Sequence, residues 1–297
     1  MKKQSKAYLF AGISILFWST VATAFKFALQ YQSPFELLIG ANLTTSIILF
    51  GNLVFQKKLY LLRRTSRKQL LSSMLIGVLN PFSYYLMIFK AYDILPAQVA
   101  QPINLIWPII LVLISIPLLH QKIELKSIGA LLICFSGVVM ISSQGGGKGF
   151  DISQLPGIYL ALGGSVVWSF YWILNMKDTR DDSVKLFLGF LSAGILLLIT
   201  ALFTGQGFPK GGSAWFWAAY TGFFEMGFSF IFWMKALQYS KTTDKVSSLV
   251  YIIPFLSLIC INFFLGEKIY STTVFGMMLI LSGIFVQKVK RKIKRKI

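Results

Sequence analysis

The sequence predicts an all-α integral membrane protein: ten transmembrane helices in two inverted five-helix repeats around a central cavity. Composition comes first. Of 297 residues, 56% are hydrophobic and 13% charged, against about 45–50% and about 25% in a soluble domain. Second, the apolar residues gather into ten runs of membrane-spanning length. Third, Lys and Arg fall almost entirely into alternate links between those runs.

A membrane helix needs about 20 apolar residues to cross about 30 Å of hydrocarbon, and lipid offers no partner to backbone amides outside helices and closed barrels. Run 7–29 follows three lysines and reaches Val21-Ala22-Thr23-Ala24, which looks like a secretion-signal cleavage site. It is longer than a signal core, and its loss would break the alternation of charge, so it is read as the first span. Runs 34–56, 68–92, 97–119 and 126–143 follow, the third holding Asn80-Pro81 and the fourth Trp107-Pro108. The link 144–155 contains Gln144-Gly145-Gly146-Gly147-Lys148-Gly149; it lacks phosphate-loop spacing and reads as a flexible joint. Runs 156–176, 186–204, 213–238, 246–265 and 271–288 complete the set. The expected organisation is a first repeat over 1–143, an external linker over 144–155, a second repeat over 156–288 and a basic tail over 289–297.

One set of links carries three basic residues at the N-terminus, six over 57–68, two over 120–126, three over 177–185, two over 241–245 and seven from Lys288 onward. The opposite set carries Lys148, Lys210 and Lys268 alone. This asymmetry places both termini of a multi-pass chain in the cytoplasm. It also explains the net charge of +19 without nucleic acid, and the tail suits anionic lipid headgroups. Cys134 and Cys260 lie inside apolar runs and His120 is the only histidine, so no metal or cofactor is expected.

The two halves resemble each other at an offset of about 145–151. Tyr8-Leu9, Gly12, Ser14 and Lys26 answer Tyr159-Leu160, Gly163, Ser165 and Lys177. Trp18-Ser19 answers Trp168-Ser169, Lys90-Ala91 answers Lys235-Ala236, Pro108 answers Pro254, and Lys122-Ile123 answers Lys268-Ile269. Five spans is an odd number, so the second half runs upside down. Inverted repeats meeting at a midplane site are the architecture of secondary transporters.

Unusual residues gather at span centres. Proline removes a backbone hydrogen bond and kinks a helix, so Pro81, Pro108 and Pro254 are expected kinks, and such breaks in lipid belong beside a cavity. Trp18, Trp107 and Trp168 lie about ten residues from either surface, too deep for interfacial anchors, whereas Trp215 and Trp217 fit that role. Ser165, Trp168, Ser169 and Trp172 share a helical face, as do Ser14 and Trp18, Gln101, Asn104 and Pro108, and Ser247, Tyr251 and Pro254. With Asn80, Tyr84 and Tyr85 these would line a weakly polar aromatic pocket for a small solute. Glu225 is the one carboxylate near a span centre, at the repeat position of Asn80; a buried acid there suits proton coupling or an amine. Lys26, Lys90 and Lys235 are expected to snorkel, with Glu36 pairing Lys26.

These residues resemble the drug/metabolite transporter superfamily, as a tandem EamA-type chain. The resemblance rests on Leu16-Phe17-Trp18-Ser19-Thr20, Trp168 and Leu265-Gly266-Glu267-Lys268, and covers nearly the whole chain. Asn104-Leu105-Ile106-Trp107-Pro108 and Trp168 with Tyr171, Asn175 and Lys177 are most similar to the bacterial aromatic amino-acid exporter (YddG-type) branch. That resemblance implies a basket-shaped bundle, cavity walls at Trp107 and Trp168, and export of small amino acids or related metabolites. The chain departs from the family at Asn42, where arginine is common, at His120-Gln121, where Gly-Glu is usual, and at Glu225.

The reading is a monomeric secondary carrier for an amphipathic or aromatic small molecule, working by alternating access and exporting its solute. An exporter of cationic compounds is the alternative, through cation–π contacts; a channel-like subunit is another, though no ring of like charge is seen. An enzyme would need paired acids or a His–Cys set within the spans, and none is present.

Overall fold

The computed structural model describes residues 3–107, 109–111, 113–114, 125–143, 152–240 and 248–288. Nearly all described residues of the apolar runs are helical, and no strand occurs among them. In the first half α1 spans Lys3–Ala28 and α2 Pro34–Phe55. The one-turn α3 (Leu59–Arg63) leads to α4 (Arg67–Gly77), a π-helical segment (Val78–Ser83), α5 (Tyr84–Ile94) and α6 (Ala97–Asn104). Beyond α6 the chain turns at Leu105-Ile106. α7 is Leu125–Ser142. The second half runs through α8 (Leu155–Lys177), α9 (Asp182–Thr204), α10 (Gly212–Tyr220), a second π-helical segment (Thr221–Gly227), α11 (Phe228–Tyr239), α12 (Ile253–Leu265) and α13 (Ser271–Lys288). Pro108, Ser247, His120, residues 144–151 and the tail from 289 lie outside the described residues.

Local chemistry sets the ends. Ser33 and Glu36 form a capping box at α2, with Pro34 in its first turn, and Ser66 and Gln69 form another at α4; each box satisfies otherwise orphaned amides. Gly205 (φ 68°) and Gly266 (φ 64°) close α9 and α12 in the left-handed region, which glycine enters without steric cost. Lys3–Ala28, Pro34–Phe55, Arg67–Ile94, Ile152–Asn175 and Asp182–Thr204 are each long and apolar enough to cross a bilayer, and the other apolar helices are shorter. Ile47, Leu132, Leu202, Phe203 and Phe263 are exposed on the outside, where hydrocarbon rather than water suits them.

Helix contacts come in exchanged pairs. α1 packs on α11 as α8 packs on α5; α2 packs on the second π segment as α9 packs on α4 and the first; α1 meets α12 as α8 meets α6; and α7 packs on α13. That reciprocity is the packing signature of a tandem repeat. Links also sort to two ends. At the basic end Lys58 pairs with Asp181 at 2.7 Å. At the opposite end Gln32 Nε2 donates to the Ala214 carbonyl at 3.0 Å, and Gln98 Nε2 to that of Lys268 at 2.8 Å.

Glycine makes the tightest crossings. A Cβ on Gly77 would lie 2.4 Å from the Gly189 carbonyl oxygen, and one on Gly222 would lie 2.4 Å from that of Ala41. These positions are repeat mates, both just where a π segment meets its neighbour. In a bilayer, packing rather than water exclusion holds helices together, so close backbone approach matters. Gly222→Ala must therefore separate α2 from the π segment, at a cost of about 1–3 kcal/mol. The Tm of the detergent-solubilised protein should fall by several degrees, whereas Gly12→Ala, with nothing within 4 Å, should leave it unchanged or raised. Equal Tm values for the two variants would contradict this account of the crossing.

One sequence expectation is corrected. Lys26 does not pair with Glu36: its Nζ donates to the carbonyls of Tyr92 (2.8 Å) and Leu95 (3.1 Å), while Glu36 Oε2 accepts from the Ser33 amide at 2.9 Å. Unsatisfied carbonyls and the negative end of the dipole at the close of α5 draw the ammonium, and the capping box takes the acid. At Pro254 the helix type changes. The proline stands in the first turn of α12, after the 3₁₀ turn Ser248–Ile252, where its missing N–H costs nothing.

Candidate functional site

Breaks in the helices organise the centre. Pro81 sits inside the first π segment, preceded by Asn80 in an extended conformation (φ −145°, ψ 120°), as the steric demand of a following proline requires. The second π segment carries Glu225 at the corresponding place. A π turn widens the helix and displaces its i→i−4 hydrogen bonds, and in lipid the displaced carbonyls need other donors. They have them: Thr45 Oγ1 donates to the Gly222 carbonyl at 3.0 Å, Trp18 Nε1 to that of Glu225 at 3.3 Å, and Ser229 Oγ to that of Phe224. Span four repeats the pattern. Proline at 108 has no N–H to offer the Asn104 carbonyl, which instead accepts from Ser165 Oγ at 2.9 Å; the Trp107 carbonyl accepts from Ser169 Oγ at 2.9 Å.

Around these breaks lies a continuous run of aromatic rings drawn from both halves. Trp168 is its hub, with ring centroids 4.6 Å from Tyr84, 5.3 Å from Tyr171, 6.0 Å from Trp172 and 6.2 Å from Phe230. Phe230 continues to Trp18 at 6.2 Å, and Tyr84 to Tyr85 at 4.9 Å. Asn104 Nδ2 donates to the Tyr84 hydroxyl at 2.9 Å, and Tyr85 donates to Glu225 Oε1 at 3.0 Å. Offset and edge-on geometries of this kind contribute about 0.5–1.5 kcal/mol per pair beyond burial. Glu225 points inward, to Tyr85 of the other half, yet remains half-buried; so do Trp18, Gln101, Asn104, Trp107, Trp168 and Trp172.

Thus Trp18, Tyr84, Asn104, Trp168 and Trp172 join one cluster with Glu225, and Gln101 lies one turn before Asn104. The Gln101 Oε1 and the Trp172 Nε1 are buried without a partner among the described residues. Asn80 is buried; it approaches the Tyr171 hydroxyl, but its amide closes no bond of normal geometry. Trp107 joins through its carbonyl. Tyr251 lies in the 3₁₀ turn before α12, and its side chain is outside the described residues. The sequence names Tyr171 only through the family resemblance and does not single out Phe230, which bridges Trp18 and Trp168. Phe230 is the repeat position of Tyr85, and extending the repeat alignment by five residues past Glu225 finds it.

The opposite end is held by polar contacts between halves. Glu267 accepts from the amides of Ala97 (2.9 Å) and Gln98 (3.1 Å) at the start of α6, and Thr273 donates to Gln98 Oε1 at 3.0 Å. A carboxylate on a helix N-terminus meets both its free amides and its dipole. A cavity of about 430 Å³ opens beside these contacts, lined by Lys26, Leu95, Gln98, Glu267 and Tyr270.

Residues 5–143 and 155–287 each match the EamA-like transporter family. The chain belongs to that family. It is a multi-pass membrane transporter and not an enzyme. An uncharacterized transporter of Archaeoglobus fulgidus is 24% identical over 96% of this chain and 100% of its own length. The uncharacterized transporter YvbV of Bacillus subtilis is 24% identical over 98% and 94%. The aromatic amino acid exporter YddG of Ancylobacter novellus is 27% identical over 53% of this chain and 55% of its own. A protein of known crystal structure superposes with a TM-score of 0.66 at 22% identity, covering 96% of both chains, which speaks to the fold.

Proposed function

We propose that the chain is a secondary carrier exporting a small aromatic or amphipathic solute, an amino acid or a related metabolite, across a bacterial cytoplasmic membrane. Ten spans in two inverted halves form a basket, with both termini cytoplasmic, as the 23 basic residues on one set of links favour. The observation that carries the reading is the ring run from Trp18 through Phe230 and Trp168 to Tyr84, with Glu225 reaching across to Tyr85. Planar solutes stack on such rings, the unpaired Gln101 and Trp172 atoms suit a polar group, and one carboxylate suits an amine. Alternating access requires the outer contacts of Glu267 with Ala97 and Gln98 to part as the far end closes.

The likeness to an aromatic amino acid exporter covers half the chain and favours aromatic amino acids over other solutes. Glu225 among rings equally suits a cationic compound through cation–π attraction. Proteoliposomes loaded with unlabelled aromatic amino acids should take up the labelled amino acid by counterflow, with saturation. Counterflow with organic cations alone would favour the second reading. Flux that never saturates would identify a channel, and no flux of any candidate would sink the carrier.

A further inference from the structure

The basic end holds a cavity that the ring cluster does not use. The links 57–68 and 177–185 carry nine basic residues against three acidic ones. Next to α3 the Arg64 guanidinium lies 5.4 Å from the Tyr60 ring centre, and Leu59 and Tyr60 are exposed. Apolar and aromatic side chains beside arginines suit the level of lipid headgroups. Against this segment opens a cavity of about 180 Å³, whose polar lining is Arg64, Thr65, Gln69, Arg180 and Asp181. Its volume is about six waters' share of the liquid, room for a phosphate group and the start of its ester arm.

Charges already paired explain why this lining favours an anion. Arg180 Nε donates to both Asp178 oxygens at 3.0 Å; its Nη2 reaches Asp178 Oδ2 at 2.5 Å and Ser73 Oγ at 2.8 Å. Its side chain is only 10% exposed, yet Nη1 has no partner among the described residues. A buried donor left unmade is costly and calls for an acceptor. Asp181 would repel an anion if free, but its Oδ2 is held by Lys58 at 2.7 Å and its Oδ1 by the Ser183 amide at 3.0 Å. Burial alone would push the Asp178 and Asp181 carboxyls up; Arg180 and Lys58 hold them below the ordinary carboxylate value, so both stay ionised and committed. α4 starts at Arg67 with no acid in its first turn, so the positive end of its dipole is uncompensated.

We propose that this cavity binds a phosphate group, supplied by the headgroup of an anionic phospholipid in the leaflet at the basic end. Arg64 is the exposed clamp, its planar guanidinium matched to phosphate oxygens, and Arg180 adds its buried Nη1 alone, its Nε and Nη2 being committed to Asp178 and Ser73. The site differs from diffuse attraction of a basic tail: it is concave, has a stoichiometry of one, and depends on two named arginines.

The full-length protein, purified in neutral detergent, would be titrated with phosphatidylglycerol, phosphatidylcholine and inorganic phosphate, with occupancy read by native mass spectrometry. One phosphatidylglycerol should be retained in preference to phosphatidylcholine. R64Q should weaken that retention about fivefold, the effect of one surface cation. R64K, which keeps the charge and loses the fork, should recover only part of the affinity lost in R64Q and serves as the comparison if R64Q shifts the Tm in phosphatidylcholine. Equal retention of both lipids, or R64Q binding phosphatidylglycerol as the wild type does, would overturn the proposal. Displacement of the lipid by millimolar inorganic phosphate would overturn the lipid as source and assign the cavity to soluble phosphate. None of these readouts involves transport.

Discussion

Trp168→Ala should lower saturable solute flux more than tenfold while the protein still inserts, purifies and keeps its helical content. Among the described residues Trp168 is the one ring that touches Tyr84 and Phe230 at once, with centroids at 4.6 and 6.2 Å. It thereby couples α5 of the first half to α11 of the second. Each aromatic pair contributes about 0.5–1.5 kcal/mol. Even with strong non-additivity, losing contacts to four rings exceeds the 1.4 kcal/mol that corresponds to a factor of ten. Some of that loss is structural, since the half-buried indole also packs against those rings. Trp168→Phe separates the two effects. It keeps a π-face for stacking, so it should restore thermal stability nearly fully and flux in part, with the half-saturating concentration raised. Proteoliposome counterflow with each variant is the measurement. Flux equal to wild type for Trp168→Ala would remove the indole from the solute path and leave it as packing.

How far the centre could be read from the sequence depended on what kind of signal each residue leaves. Trp18 and Trp168 stood out because an indole ten residues from either surface is in the wrong place for an anchor. Ser165 and Ser169 stood out by helical spacing, and both turn out to cap carbonyls on the broken fourth span. The π segments left no such mark. Val78–Ser83 was visible only through Asn80-Pro81, and Thr221–Gly227 contains no proline, because the extra residue in a π turn is a matter of tertiary packing rather than propensity. Lys26 was misassigned because depth pointed to Glu36 on the next span, while the chain gave both groups backbone partners instead. The contacts of Glu267 with Ala97 and Gln98 were illegible for another reason. Their partners stand about 170 residues apart, and no periodicity links a loop carboxylate to a helix start in the other repeat.

Glu225→Gln tests whether the single mid-span acid handles charge or only shape. Glutamine keeps the length and can still accept from Tyr85, so the 3.0 Å contact and the π segment should survive and the Tm should change little. What glutamine cannot do is exchange a proton or balance an ammonium group. An ionised carboxylate far from water is expensive, which is why such groups persist where they bind or relay charge. If Glu225 couples export to protons, wild-type flux should rise when the compartment receiving the solute is made acidic. Glu225→Gln should still exchange solute for solute, but that pH response should vanish and accumulation against a gradient should be lost. If instead Glu225 binds the amine of the solute, the variant should lose affinity by a factor of ten or more for amines and amino acids. Neutral aromatic solutes would keep theirs. Running counterflow at two pH values with one amine-bearing and one neutral substrate separates these outcomes. A variant that matches wild type in all four conditions would reduce Glu225 to a packing residue. The Trp168 ring cluster alone would then carry the solute.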